Sequence, residues 1–202
     1  MLENKKEFKL IAKKNPRSLL PNTLTIFGVC LGLSSIKFAL DTNYGMAIIA
    51  IGFAAILDTL DGRVARLIKG TSKVGKELDS LTDVISFGVA PGFIIYFWAL
   101  NEIGKFGWML VLVYVVCCAL RLARFNLLIV EENESWKINF FEGVPSPAAA
   151  GLVLLPLILS LSNLIQFENK TFLCSATMLI TSFLMVSKIP TYSLKRILIP
   201  RH

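Results

Sequence analysis

ILDTLDGRVARLIKGTSKVGKELDSLTDVISFGVAPG, residues 56–92, sets four carboxylates, Asp58, Asp61, Asp79 and Asp83, among segments apolar enough to enter a bilayer. Ionisable groups at membrane depth are costly and mark functional sites by default. Asp58 and Asp61 are three residues apart and Asp79 and Asp83 four apart, so on helices each pair shares one face. Two such helices facing each other converge four negative charges on a small volume, where they repel or protonate unless a cation holds them. Oxygen ligands without His or Cys point to a hard divalent ion, Mg2+ or Mn2+, of the kind that works with substrate phosphates. A pair of ions could stabilise the attacking and leaving oxygens of a displacement at phosphorus. Gly62 and Ala65, on or near the carboxylate face, leave room for a ligand or another helix. Arg63, Arg66, Lys69 and Lys73 supply positive charge for an anionic substrate, and Gly70-Thr71-Ser72 forms a polar turn between the helices. A solvated loop with snorkelling cations would account for Arg63 and Lys69 but not for four inward carboxylates.

The composition agrees with a membrane setting. The chain has 202 residues, 54% of them hydrophobic, and a mean hydropathy of +0.65, too apolar for an ordinary soluble domain. A net charge of +7 could serve nucleic acid, but Lys and Arg stand in blocks between apolar runs, the pattern of membrane topology rather than of a basic face. No nucleic-acid partner is therefore expected. Cys30, Cys117, Cys118 and Cys174 lack metal-site spacing, fall in apolar segments and read as small buried hydrophobes. The only histidine is His202, the last residue, which disfavours Ser-His or Cys-His chemistry. No short apolar stretch with a cleavage site opens the chain, so a cleaved signal peptide is not expected.

Residues 1–20 carry Lys5, Lys6, Lys9, Lys13, Lys14 and Arg17, with Phe8, Ile11 and Ala12 able to share a face. They read as a short interfacial helix on an anionic leaflet, the alternative being a solvated basic tail. Residues 21–202 read as one membrane domain. Pro21 opens a first apolar run reaching Leu40, and the Asp41–Gly45 turn leads into a second from Met46. Further runs cover Leu81–Leu100, Phe106–Leu128, Pro147–Ile165 and Phe172–Val186. The expected fold is thus an all-α integral membrane protein with six transmembrane helices, helices because backbone polar groups in lipid need internal partners. Trp98, Trp108 and Trp136 read as interface aromatics. With the N-terminus cytoplasmic, that side collects Arg63, Arg66, Lys69, Lys73, Lys76, Arg121, Arg124, Lys137, Lys188, Lys195, Arg196 and Arg201. The other keeps Lys105 and Lys170, with Lys37 near the outer end of the first span. Both termini and the aspartates are therefore expected on the cytoplasmic side of a cell membrane.

Asp58-x-x-Asp61-Gly62-x-x-Ala65-Arg66, eight residues, Gly75, three residues, Asp79, three residues, Asp83 resembles, without departure, the signature of the CDP-alcohol phosphotransferases. The resemblance implies a six-helix membrane enzyme, usually a homodimer, that moves a phospho-group from a CDP-linked donor to an alcohol and releases CMP. It also implies metal ligation by Asp58, Asp61, Asp79 and Asp83, the first and third bridging two ions, with Asp83 as the base that takes the acceptor proton. Pro21, Asn22, Thr23, Leu24, Gly62, Arg66, Ser72 and Gly75 match signature positions or positions that hold the CDP moiety.

Ser86–Pro91, Arg121–Asn126 and Phe141–Pro147 resemble the phosphatidylserine synthase branch of that family, which implies CDP-diacylglycerol and L-serine as substrates. Arg121 and Arg124, three apart at a helix end, suit a serine carboxylate or a lipid phosphate, unless they are ordinary topology anchors. Glu142 could meet the serine ammonium or be a solvated loop acid. Other acceptors, such as glycerol 3-phosphate or inositol phosphate, and an ether-lipid donor stay open. A cation transporter, outside this class, could also carry the aspartates but has no use for the glycines, the arginine and Ser72 around them.

Overall fold

The computed structural model describes residues 19–67, 73–130, 140–162, 168–187 and 190–192. The first apolar run forms α1 (Leu19–Leu40). A tight turn with Thr42 at φ 60° leads into α2 (Tyr44–Leu67), which carries the first aspartate pair in its last turns. The second pair lies on α3 (Lys73–Asp83). This helix passes without interruption through a π-helical turn, Val84–Val89, into α4 (Ala90–Trp98). A 3-10 turn at Leu100–Ile103 precedes α5 (Lys105–Val130), then come α6 (Ser146–Leu161) and α7 (Lys170–Val186). Beyond the helices, the described residues include one small ladder, in which β1 (Phe140–Glu142) pairs antiparallel with β2 (Pro190–Tyr192), Phe141 opposite Thr191. It ties the entry of α6 to the exit of α7.

The expected helical membrane architecture is present. Among the described residues, four helices, over Pro21–Leu40, Tyr44–Val64, Gly75–Trp98 and Lys105–Arg124, are long and apolar enough to cross a bilayer. The apolar α6 and α7, 16 and 17 residues long, are shorter than the ~20 residues a perpendicular span needs. The third hydrophobic segment starts earlier than its apolar run, because the amphipathic α3 is continuous with it and brings Asp79 and Asp83 into the same rod. Residues 1–18, the Gly70-Thr71-Ser72 turn and Trp136 lie outside the described residues.

Small residues set how closely the helices approach. Gly28 and Gly32, one turn apart on α1, face the rod formed by α3 and the π turn. A Cβ at Gly28 would lie 3.5 Å from Thr82, and one at Gly32 would lie 2.6 Å from Ser86 Oγ and 3.1 Å from its Cα. Gly88 and Gly92 repeat the arrangement toward α5, where added Cβ atoms would lie 3.2 Å from Cys118 Sγ and 3.1 Å from Val111. Without a hydrophobic drive between helices in lipid, such close backbone contact is what holds them together. Inside are Ile94, Ile95, Tyr114, Val153, Leu157 and Met178, all fully buried. Outside, Phe27, Phe53 and Phe183 are 63, 55 and 71% exposed, an apolar exterior of the kind that lipid covers. Cys118 and Cys174 are buried as expected, Cys117 is half-buried, and Cys30 departs from the expectation because it stands on the exposed face of α1.

At the end of the bundle away from the aspartates, Lys170 Nζ pairs with Glu102 at 2.8 Å and Thr171 donates to the same carboxylate at 2.8 Å. Lys170 first, then Thr171, holds the Glu102 carboxyl below the usual carboxylate range. This joins the 3-10 turn to the start of α7.

Candidate functional site

The late turns of α2 and the length of α3 bring the two aspartate pairs together, as their spacing predicts. One carboxylate oxygen each from Asp58, Asp61 and Asp79 lies within 4.8 Å of the others. Asp83, one turn further along α3, faces Asp58 within hydrogen-bonding reach. Its Oδ1 is buried without a hydrogen-bond partner among the described residues. Asp61 is 3% exposed and accepts a hydrogen bond from Thr25 Oγ1 at 2.7 Å.

The donor set fits a divalent cation. All its atoms are carboxylate oxygens, and an orphaned buried oxygen is a deficit that a cation fills. Two oxygens on opposite sides of an ion with bonds of about 2.1 Å stand about 4.2 Å apart, so a trio spread over no more than 4.8 Å is close to ligating separation. Two facing carboxylates such as Asp58 and Asp83 need a shared proton or cation between them.

α1 closes one side of this centre. It packs along α2 more extensively than any other pair of helices and also touches α3 and α4. Pro21 is buried, Asn22 and Leu24 half-buried and Thr23 exposed in its first turns, while Gly62 and Gly75 are half-buried. The start of α1 thus borders the carboxylates through Thr25. Ser72 and the side chain of Arg66 lie outside the described residues.

The two arginines of α5 part company. Arg121, half-buried, donates from Nη1 to Ser146 Oγ at 2.7 Å and lies within Coulombic range of Asp83. Arg124, exposed, donates from Nη1 to the Val186 carbonyl at 2.9 Å, satisfying an end carbonyl of α7. Glu142 sits in β1, but its side chain lies outside the described residues.

Thr25 escaped the sequence reading, and Ser146 entered it only within the Phe141–Pro147 stretch, with no role of its own. Thr25 is the polar residue one turn after Pro21 in an apolar run, a position that a buried partner could explain. Ser146, fully buried, stands between two prolines at the start of α6, where it looks like an ordinary helix opener.

The sequence profile of the CDP-alcohol phosphatidyltransferase family matches residues 18–189. A CDP-diacylglycerol–serine O-phosphatidyltransferase of Mycobacterium leprae is 40% identical over 185 residues, 91% of this chain and 61% of that protein. A protein of the same name from Helicobacter pylori is 40% identical over 91% of this chain and 76% of its own length. One from Bacillus subtilis is 34% identical over 84% and 88%. The chain thus spans under two thirds of the length of the mycobacterial relative. With a profile match over most of its length and the carboxylate centre formed by α2 and α3, the chain belongs to the CDP-alcohol phosphatidyltransferase family.

Proposed function

We propose that this chain transfers the phosphatidyl group of CDP-diacylglycerol to the hydroxyl of L-serine, giving phosphatidylserine and CMP. The observation that carries this is the convergence of Asp58, Asp61 and Asp79, with Asp83 beside them, beneath the start of α1. The serine acceptor is supported by the names of relatives at 34 to 40% identity.

The four aspartates would hold two Mg2+ or Mn2+ ions, whose chemistry is to neutralise the charge that builds on the oxygens around phosphorus. Thr25 keeps the Asp61 carboxylate turned toward that position through its hydrogen bond. Pro21–Leu24, Gly62, Arg66, Ser72 and Gly75 are the residues that would bind the CDP moiety. Arg121, held by Ser146, presents a planar donor fork suited to the serine carboxylate, whereas Arg124 is committed to the end of α7. Asp83 takes the proton from the serine hydroxyl as its oxygen bonds to the lipid-linked phosphorus, while the bond from phosphorus to the CMP oxygen breaks. Glu142 is a candidate partner for the serine ammonium, and the functional unit is a homodimer.

Purified protein supplied with CDP-diacylglycerol, Mn2+ and a panel of alcohols should release CMP with serine in preference to glycerol 3-phosphate or inositol phosphate. Preference for a phosphorylated alcohol would reassign the acceptor, and metal-independent silence with every alcohol would remove the transferase reading. Asp83→Asn should lower kcat by about 10²- to 10⁴-fold, the usual worth of a positioned base, with CDP-diacylglycerol still bound. Near-normal turnover would place the base elsewhere.

The arginines should separate kinetically. Losing a charge-assisted bond of roughly 1.5–3 kcal/mol weakens an interaction about ten- to hundredfold. Arg121→Lys should therefore raise KM for serine by that order with little change in KM for the lipid, whereas Arg124→Lys should alter neither. A rise in the lipid KM for Arg121→Lys would give that side chain to the lipid phosphate.

In the membrane, residues 21–202 would form six spans with both termini and the carboxylates on the cytoplasmic side, and residues 1–20 would lie along the anionic leaflet. A cysteine placed at Asn43 should react with an impermeant label from outside intact cells and one after His202 should not. The reverse pattern would invert the threading.

A further inference from the structure

The rod that carries Asp79 and Asp83 is not a uniform helix. Directly after Asp83 it widens into the π turn Val84–Val89, in which the Ala90 N–H donates to the Ile85 carbonyl, five residues back. Pro91 lies just beyond, in the first turn of α4. In an uninterrupted α-helix the residue at 91 would donate to the carbonyl of Phe87, but proline has no N–H and its ring crowds that carbonyl. A donor comes from another helix instead. Tyr114 of α5, fully buried, donates its hydroxyl to the Phe87 oxygen at 2.8 Å. Gly92 lies against the same stretch of α5, where a Cβ would crowd Val111 at 3.1 Å and meet the Tyr114 ring at an ordinary 3.7 Å.

A π turn inserts one residue into the helical repeat and so rotates the helix on its N-terminal side against the helix on its C-terminal side by about 100°. Here the break falls between the turn bearing Asp79 and Asp83 and the turns of α4 that pack in the core through Ile94 and Ile95. The face of α4 is fixed by the core, so the register break decides which way the two carboxylates point.

We infer that Tyr114 is a positioning residue for the carboxylate centre: its hydroxyl, standing in for the amide that Pro91 lacks, holds the π register that aims Asp79 and Asp83 at Asp58 and Asp61. Tyr114 acts through the backbone of Phe87 and touches none of the four aspartates. The inference rests on the cation-binding reading proposed above, and extends it to a residue on a different helix.

A second tyrosine supplies a matched control. Tyr44 donates its hydroxyl to the Phe97 carbonyl at 3.3 Å, near the other end of α4 and away from the register break. Mn2+ alone is the probe, titrated into the detergent-solubilised full chain and followed by the spin signal of free Mn2+. Tyr114→Phe should weaken Mn2+ binding about tenfold and lower kcat by a similar factor with KM for CDP-diacylglycerol within twofold of the parent, while Tyr44→Phe leaves all three unchanged. Mn2+ affinity of Tyr114→Phe within twofold of the parent would overturn the inference, and so would equal weakening in both variants, which would mean general loosening. If Tyr114→Phe does not fold, Pro91→Ala in the same chain restores a backbone donor for Phe87. That double variant should fold and bind Mn2+ within twofold of the parent, because the new amide holds the Phe87 carbonyl as the Tyr114 hydroxyl did, and Mn2+ binding still about tenfold weaker in a folded double variant would contradict the positioning role. A parent chain that binds no Mn2+ would sink the cation reading itself, and the role of Tyr114 with it.

Discussion

Mutual repulsion among carboxylates at membrane depth is the constraint around which this molecule is arranged. Asp58, Asp61 and Asp79 stand within 4.8 Å of one another, and Asp83 faces Asp58. A cluster of this kind is tolerable in a low dielectric only with positive charge or protons between its members. The Thr25 hydroxyl orients Asp61, and Arg121 acts on Asp83 from a distance while bonded to Ser146. A divalent cation at this position would supply the balancing charge.

That geometry depends on helices approaching more closely than large side chains allow. Gly28 and Gly32 seat α1 against the end of α3 and the π turn, and Gly88 and Gly92 seat α5 against the π turn and the start of α4. The rod bearing Asp79 and Asp83 is therefore clamped near its register break by two neighbours. At the same end of the bundle, Arg124 and the β1–β2 ladder tie α5, α6 and α7 together. Local rigidity is what a phosphoryl-transfer centre needs, because its catalysis is mostly positioning and electrostatics.

The helices were legible in the sequence because each apolar run between charged blocks became one, and the aspartate spacing gave the shared faces. The serine-type stretches at residues 121–126 and 141–147 were visible as resemblance, but the different duties of Arg121 and Arg124 were not. Three residues apart on a helix, they look alike until Ser146 and the Val186 carbonyl arrive from distant parts of the chain. Thr25 and Tyr114 were hidden for the same reason: a hydroxyl in an apolar run acquires a role only from its tertiary partner. The π turn had a local signal, Pro91 inside a helix, but its consequence depends on how α5 answers the lost amide.

The central claim is that aspartates from two helices form one divalent-cation centre, and counting bound ions tests it most directly. The purified chain, titrated with Mn2+ in the absence of any lipid or nucleotide, should bind two ions saturably, and Asp79→Asn should lose them while the helical fold persists. Failure of the parent to bind Mn2+ saturably, or unchanged binding in Asp79→Asn, would contradict the account.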